Sequence, residues 1–133
     1  MTWLYNGKEV IEEETQPYVG FVYMITNKTD GKRYIGKKLF SKAKTKTVKG
    51  KKKKIRVKSD WETYYGSNKE LKAHVLLLGP SSFERQILRF CSTRGECSYY
   101  EAKYQFDYNV LTEPGWYNTW ISCRIRKNHI SPV

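Results

Sequence analysis

Gly20-Phe21-Val22-Tyr23-Met24-Ile25-Thr26-Asn27-Lys28-Thr29-Asp30-Gly31-Lys32-Arg33-Tyr34-Ile35-Gly36-Lys37-Lys38 is the stretch on which the reading of this chain turns. Its first part is rich in β-branched and aromatic residues, and its second is shorter and more polar. Between them Asn27, Asp30 and Gly31 tolerate the positive φ of a tight turn. The pattern predicts a hairpin with strands over about 19–26 and 33–39. Side chains alternate faces along a strand, and opposed residues share a face. A loop with an even number of residues therefore places Tyr23, Tyr34 and Lys38 on one face, whereas an odd loop or a bulge separates them. Taken alone, two tyrosines in a hairpin are ordinary core or surface aromatics.

Outward from this hairpin, composition bounds the answer. The 133 residues suffice for one domain with one modest core, here 1–133. A hydrophobic fraction of 39% with 15% aromatics is that of a folded chain despite its charge. Lys and Arg number 25 against 13 acidic residues, a net charge of +12 that points to a polyanionic partner, nucleic acid before an anionic membrane surface. No apolar run approaches the ~20 residues needed to span a bilayer, and the N-terminus lacks a signal-peptide pattern. Cys91, Cys97 and Cys123 match no metal-ligand spacing and read as reduced thiols of a cytoplasmic protein.

The flanking segments divide by charge and periodicity. Residues 1–16 carry Glu9, Glu12, Glu13 and Glu14 and read as a solvated lead-in tacked on by Trp3, Leu4, Val10 and Ile11; the alternative is an acidic arm that covers a basic face. Beyond the hairpin, the insertion over about 42–58 holds ten basic residues and no acidic one: Lys42, Lys44, Lys46, Lys49, Lys51, Lys52, Lys53, Lys54, Arg56 and Lys58. Like charges this dense resist packing, so the segment is an exposed loop or a mobile β-ribbon with its tip at Gly50. Its lysines suit contact with a phosphate backbone, not base reading. A helix is expected over about 68–78, with Asn68 or Ser67 as N-cap, Gly79-Pro80 as stop, and Leu71, Val75 and Leu78 as its buried face. His74 on this helix is a packed or surface histidine before it is a proton carrier. A third strand follows over about 82–91 with Arg85 and Arg89 outward, then a helix over about 96–108 with Tyr100 and Tyr104 on one face and Glu101 close to it. The tail from Thr112 reads as irregular, packed by Trp116 and Trp120, with a basic end at Arg124, Arg126 and Lys127.

Three ordered blocks carry a resemblance. Gly20-Phe21-Val22-Tyr23, then Tyr34-Ile35-Gly36, then Tyr64-Tyr65-Gly66-Ser67 ahead of a helix resemble the GIY-YIG nuclease superfamily, in particular members from phages and mobile elements such as homing endonucleases. In the first block Phe-Val-Tyr stands where Gly-Ile-Tyr is usual. The resemblance covers about 18–118. It implies an α/β (α+β) domain with a small, mostly antiparallel three-stranded sheet flanked by helices. It also implies a metal-dependent DNA endonuclease that hydrolyses phosphodiester bonds.

The site follows from the same resemblance. Tyr23 would be the general base, with Tyr34 orienting water or phosphate. Glu101 would hold one Mg2+ or Mn2+ ion, and Glu96 competes with it but sits at the helix start, where capping explains it. Asn118, in a Tyr-Asn pair, matches a family asparagine, with Asn109 as the alternative. The family arginine after Tyr-Ile-Gly has no counterpart, so Lys38, then Lys69, is the expected phosphate-binding cation, without arginine's bidentate fork. Nearby cations would favour an ionised tyrosine. The partner would be DNA, double-stranded, with no membrane. Lacking a separate recognition domain, the chain would read little sequence or rely on a homodimer or an accessory recognition protein. The alternatives are a non-catalytic basic nucleic-acid-binding protein on a degenerate nuclease fold, and an adaptor that masks a polyanionic surface.

Overall fold

A computed structural model describes residues 2–127 and residue 130. The hairpin forms as expected, by β3 (Gly20–Asn27) and β4 (Arg33–Leu39). Asn27 shapes the turn: its Oδ1 accepts from the Thr29 N–H at 3.0 Å, and Gly31 takes φ +77°. The register opposes Tyr23 to Gly36, Ile25 to Tyr34 and Phe21 to Lys38, so Tyr23, Tyr34 and Lys38 share one face.

The remaining elements are β1 (Leu4–Tyr5), β2 (Lys8–Glu9), α1 (Glu12–Thr15), β5 (Ser41–Val48), β6 (Lys51–Lys58), α2 (Lys69–Leu78), β7 (Phe83–Cys91) and α3 (Arg94–Asp107), with 3-10 turns at Trp61–Thr63 and Pro80–Ser82. The main sheet has five strands in the order β2-β1-β7-β3-β4, not the three expected. The lead-in supplies the two extra strands. Asn6 and Gly7 both take positive φ, the chemistry of a two-residue hairpin turn, and β1 then pairs parallel to β7 through Leu4 and Gln86. Trp3 anchors this hairpin: it is buried, and its Nε1 donates to the Trp61 carbonyl at 2.7 Å. Ile11 stays exposed.

The sheet separates two apolar layers. Phe21, Tyr23 and Ile25 of β3 pack with Trp3, Trp61, Leu71, Phe83 and Tyr117 on the α2 side. Val22 and Met24 pack with Ile35, Cys91, Cys97, Val110 and Trp116 on the α3 side. A bulge between Val22 and Tyr23 inserts one residue of β7 into the pairing. The insertion corrects the expectation that Arg85 and Arg89 both point outward. Arg89 lies on the α3 side with its guanidinium over the Tyr100 ring, whereas Arg85 turns inward on the tyrosine side and is buried. There Arg85 stacks on Trp3 and Tyr65, and its Nη1 donates to the carbonyls of Glu62 and Tyr64 at 3.0 and 2.9 Å. It thereby fixes the loop that leads to Gly66.

Helix α2 begins at the expected cap, where Asn68 Oδ1 accepts from the Leu71 N–H at 2.9 Å, and it ends at Gly79. Leu71 is buried, but Leu78 is exposed and not part of the buried face. The basic segment is a separate two-stranded ribbon of β5 and β6, closed by Lys49 and Gly50, both at positive φ. Its lysines are exposed, and it is tied to the body by Ser59, whose hydroxyl donates to the Leu39 carbonyl at 2.6 Å. Among the described residues no helix is long and apolar enough to cross a membrane. Residues 112–126 are irregular; Trp116 packs as expected but Trp120 is exposed.

Candidate active site

Strand β4 ends the sheet, and that position makes the site. Up to Ile35 its outer edge is covered by the segment after Gly115. Arg33 N–H donates to the Gly115 carbonyl, Tyr117 N–H donates to the Arg33 carbonyl, and Asn118 closes on Ile35 from both sides. Asn118 Oδ1 accepts from the Ile35 N–H at 3.0 Å, and its Nδ2 donates to the Ile35 carbonyl at 2.8 Å. Gln105 Nε2 donates to the same carbonyl at 3.0 Å. Beyond this clamp the edge opens into a cleft of about 690 Å³. Because an edge strand presents both faces at its rim, the cleft gathers Tyr34 from the α2 face and Lys37 from the α3 face. Ser67, Glu101, Gln105, Asn118, Trp120 and Arg124 join them.

Two glycines shape the tyrosine pair. A Cβ on Gly36 would come 2.7 Å from Tyr23 Cζ and 2.9 Å from Tyr34 Cε2, so only glycine admits both rings. Gly66, at φ +87°, lies against the same two side chains from the loop above. The rings stand 6.2 Å apart between centroids. Tyr23 is 1% exposed, packs edge-to-face on Tyr64 with ring centroids 6.1 Å apart, and does not line the cleft. Burial pushes its phenol well above the ordinary value, and Tyr64, Tyr34 and Glu101 add to that. Tyr34 opens onto the cleft with its hydroxyl 3.2 Å from Ser67 Oγ. Burial raises it too; the Ser67 bond opposes the shift and the Glu101 charge adds to it. Both phenols are therefore raised, where ionisation assisted by nearby cations was expected.

Glu101 projects from α3 into the cleft. Burial lifts its carboxyl above the usual range, while the Lys37 charge and the Lys37 backbone N–H draw it back. One helical turn on, Gln105 is 5% exposed, and its Oε1 has no hydrogen-bond partner among the described residues. Glu96 instead sits in the first turn of α3, 3.8 Å from Arg89. Asn109 lies past the end of α3 at positive φ, outside the cleft.

The cations are distributed differently from the expectation. Lys38 is on the tyrosine face, but its ammonium pairs with Asp60 at 2.7 Å and lies 4.0 Å from the centre of the Tyr64 ring, away from the cleft. Lys69 is exposed in the first turn of α2 and does not line the cleft either. Lys37, hydrogen-bonded to Ser98, and Arg124 take the cleft positions. Alternation along β4 put Lys37 on the face opposite Tyr34, which hid it. Gln105 was legible as the residue one turn after Glu101, and Arg124 only as part of a basic tail. His74 is packed, with Nδ1 2.7 Å from the Tyr117 hydroxyl.

The chain belongs to the GIY-YIG nuclease family: the family described as "Putative endonuclease segE, GIY-YIG domain" matches residues 3–121. This defines a nuclease fold with DNA as the implied substrate. No curated protein and no solved structure matches it significantly.

Proposed function

We propose that the chain is one nuclease domain that hydrolyses phosphodiester bonds of double-stranded DNA in the cleft at the β4 edge, with a divalent metal ion. The observation that carries this reading is the convergence of Tyr34 and Glu101, from opposite faces of the sheet, beside Lys37 and Arg124. Glu101 would hold Mg2+ or Mn2+, and the unpartnered Gln105 Oε1 is a second hard oxygen donor fit for the ion or its water. When bound, such an ion supplies Lewis-acid charge at the scissile phosphate.

The chain's own groups account for the rest. Lys37 and Arg124 offset the phosphate charge at the mouth of the cleft. Tyr34 is protonated at neutral pH and acts as a relay: as its oxygen takes the proton of the attacking water, its own proton passes to Ser67 Oγ, whose proton leaves to solvent, and solvent returns a proton to the departing sugar oxygen. Tyr23, closed off beneath Gly36, positions Tyr34 and is not itself the base. Asn118 and Gln105 hold the β4 backbone from which Tyr34 and Lys37 project. The ribbon lysines and Arg56 hold the DNA backbone.

Nicking of supercoiled plasmid with magnesium tests this. Wild type is expected to cut, and Glu101→Ala and Tyr34→Phe to bind plasmid without cutting. Cutting that survives Glu101→Ala overturns the assignment of the site.

A further inference from the structure

Of the four tryptophans, Trp3, Trp61 and Trp116 are 2%, 4% and 9% exposed, whereas Trp120 is 71% exposed. Trp120 forms part of the cleft wall, only two residues beyond the Asn118 clamp on Ile35 that fixes its backbone. The same cleft is lined by Arg124 and Lys37. A flat π surface beside two cations matches one ligand chemistry well, a nucleobase attached to its phosphate. Base pairs inside a duplex have their faces covered by their neighbours, so only a nucleotide out of the stack offers a face to the indole.

The approach to Trp120 is cationic throughout. The cleft shares Lys37, Ser98 and Arg124 with an adjoining cavity that reaches Arg94, and Arg94 in turn lines a groove that continues to Lys54 and Arg56 at the ribbon. A backbone held on the ribbon is thus led along charged residues to the cleft.

We infer that Trp120 is a stacking platform for one nucleobase out of the duplex stack, so that the preferred substrate has an unpaired or extruded nucleotide beside the cleaved phosphate. This rests on the cleft being the phosphodiester site.

Trp120 is the most exposed fluorophore of the four, so intrinsic tryptophan fluorescence reports on it. Glu101→Gln protein, without added metal, is titrated with a blunt duplex, the same duplex bearing a central one-nucleotide thymine bulge, and an oligothymidine single strand. The bulged duplex and the single strand are expected to quench, the blunt duplex to quench little, and Trp120→Leu in the same background to abolish the difference. Trp120→Leu is also expected to weaken binding of the bulged duplex about fivefold to a hundredfold, and Trp120→Phe to restore part of it. Equal quenching by blunt and bulged duplexes, or unchanged affinity in Trp120→Leu, overturns the inference. Because no cutting is read, quenching by bulged DNA with a wild type that cuts no DNA would sustain the platform and remove the nuclease reading.

Discussion

The hydroxyl of Tyr23 lies against Gly36, its register partner on the neighbouring strand, in the space a methyl group would fill. The glycine of the second signature block is there because one tyrosine passes behind it and the other lies beside it. Gly36→Ala is expected to force both rings aside, at a cost of about 1–3 kcal/mol. Thermal denaturation should show a melting temperature several degrees lower, with a larger loss in cutting than in DNA binding.

The two phenols are not equivalent. Tyr34 meets the cleft and Tyr23 does not. Tyr34→Phe is expected to lower single-turnover cutting by about a hundredfold or more with unchanged DNA affinity. Tyr23→Phe removes the hydroxyl that fills the space between Gly36 and Gly66 and is expected to reduce stability more than it slows the chemical step. Denaturation and single-turnover rates measured on both variants decide between these roles.

Glu101 connects pH to both activity and stability. Its carboxyl is raised by burial in the metal-free protein, so at sub-saturating magnesium the acid limb of the cutting rate should lie above the ordinary glutamate value, and added magnesium should draw it to lower pH. Lys37→Met removes a charge that lowers it and should move that limb to higher pH. The same shift gives a sign for stability. A raised carboxyl stabilises the fold only while protonated, and this contribution is lost as pH rises through the folded value. Without divalent metal, Glu101→Gln should therefore melt higher than wild type at pH 8 and lose that advantage near pH 4, although it cuts nothing.

Asn118 spends its whole amide on one residue of the edge strand. Asn118→Ala leaves the Ile35 N–H without its acceptor and deprives its carbonyl of one of two donors. A loss of about 1–3 kcal/mol is expected in urea denaturation. Tyr34 and Lys37 flank the loosened segment, so cutting should fall along with stability.

The ribbon binds through charge, so its contribution depends on salt. Replacing Lys51, Lys52, Lys53 and Lys54 together by alanine should weaken binding of any duplex sequence alike. The slope of log affinity against log salt should become shallower by about 3 to 4 if all four meet phosphates. Fluorescence anisotropy at several salt concentrations measures this.

The sequence by itself determined what depends on neighbours along the chain. Asn27, Asp30 and Gly31 set the hairpin turn, Asn68 and Gly79 bounded α2, and like charges kept the ribbon out of the core, whereas the shared face of Tyr23 and Tyr34 came only with the register. The tertiary structure decided what depends on which strand is an edge and where pairing slips. Arg85 shares the buried face of Phe83 and Ile87, and a single bulge past Ile87 put Arg89 on the opposite face, against the alternation that had both arginines outward. The last position in the sheet let β4 offer Lys37 and Tyr34, on opposite faces, to one cleft, while Lys38 went to Asp60. Strand alternation is a local rule. Neither the residue at which a partner strand bulges nor the strand left without a neighbour is written into the period of two, so these parts of the site emerged only when the sheet was assembled.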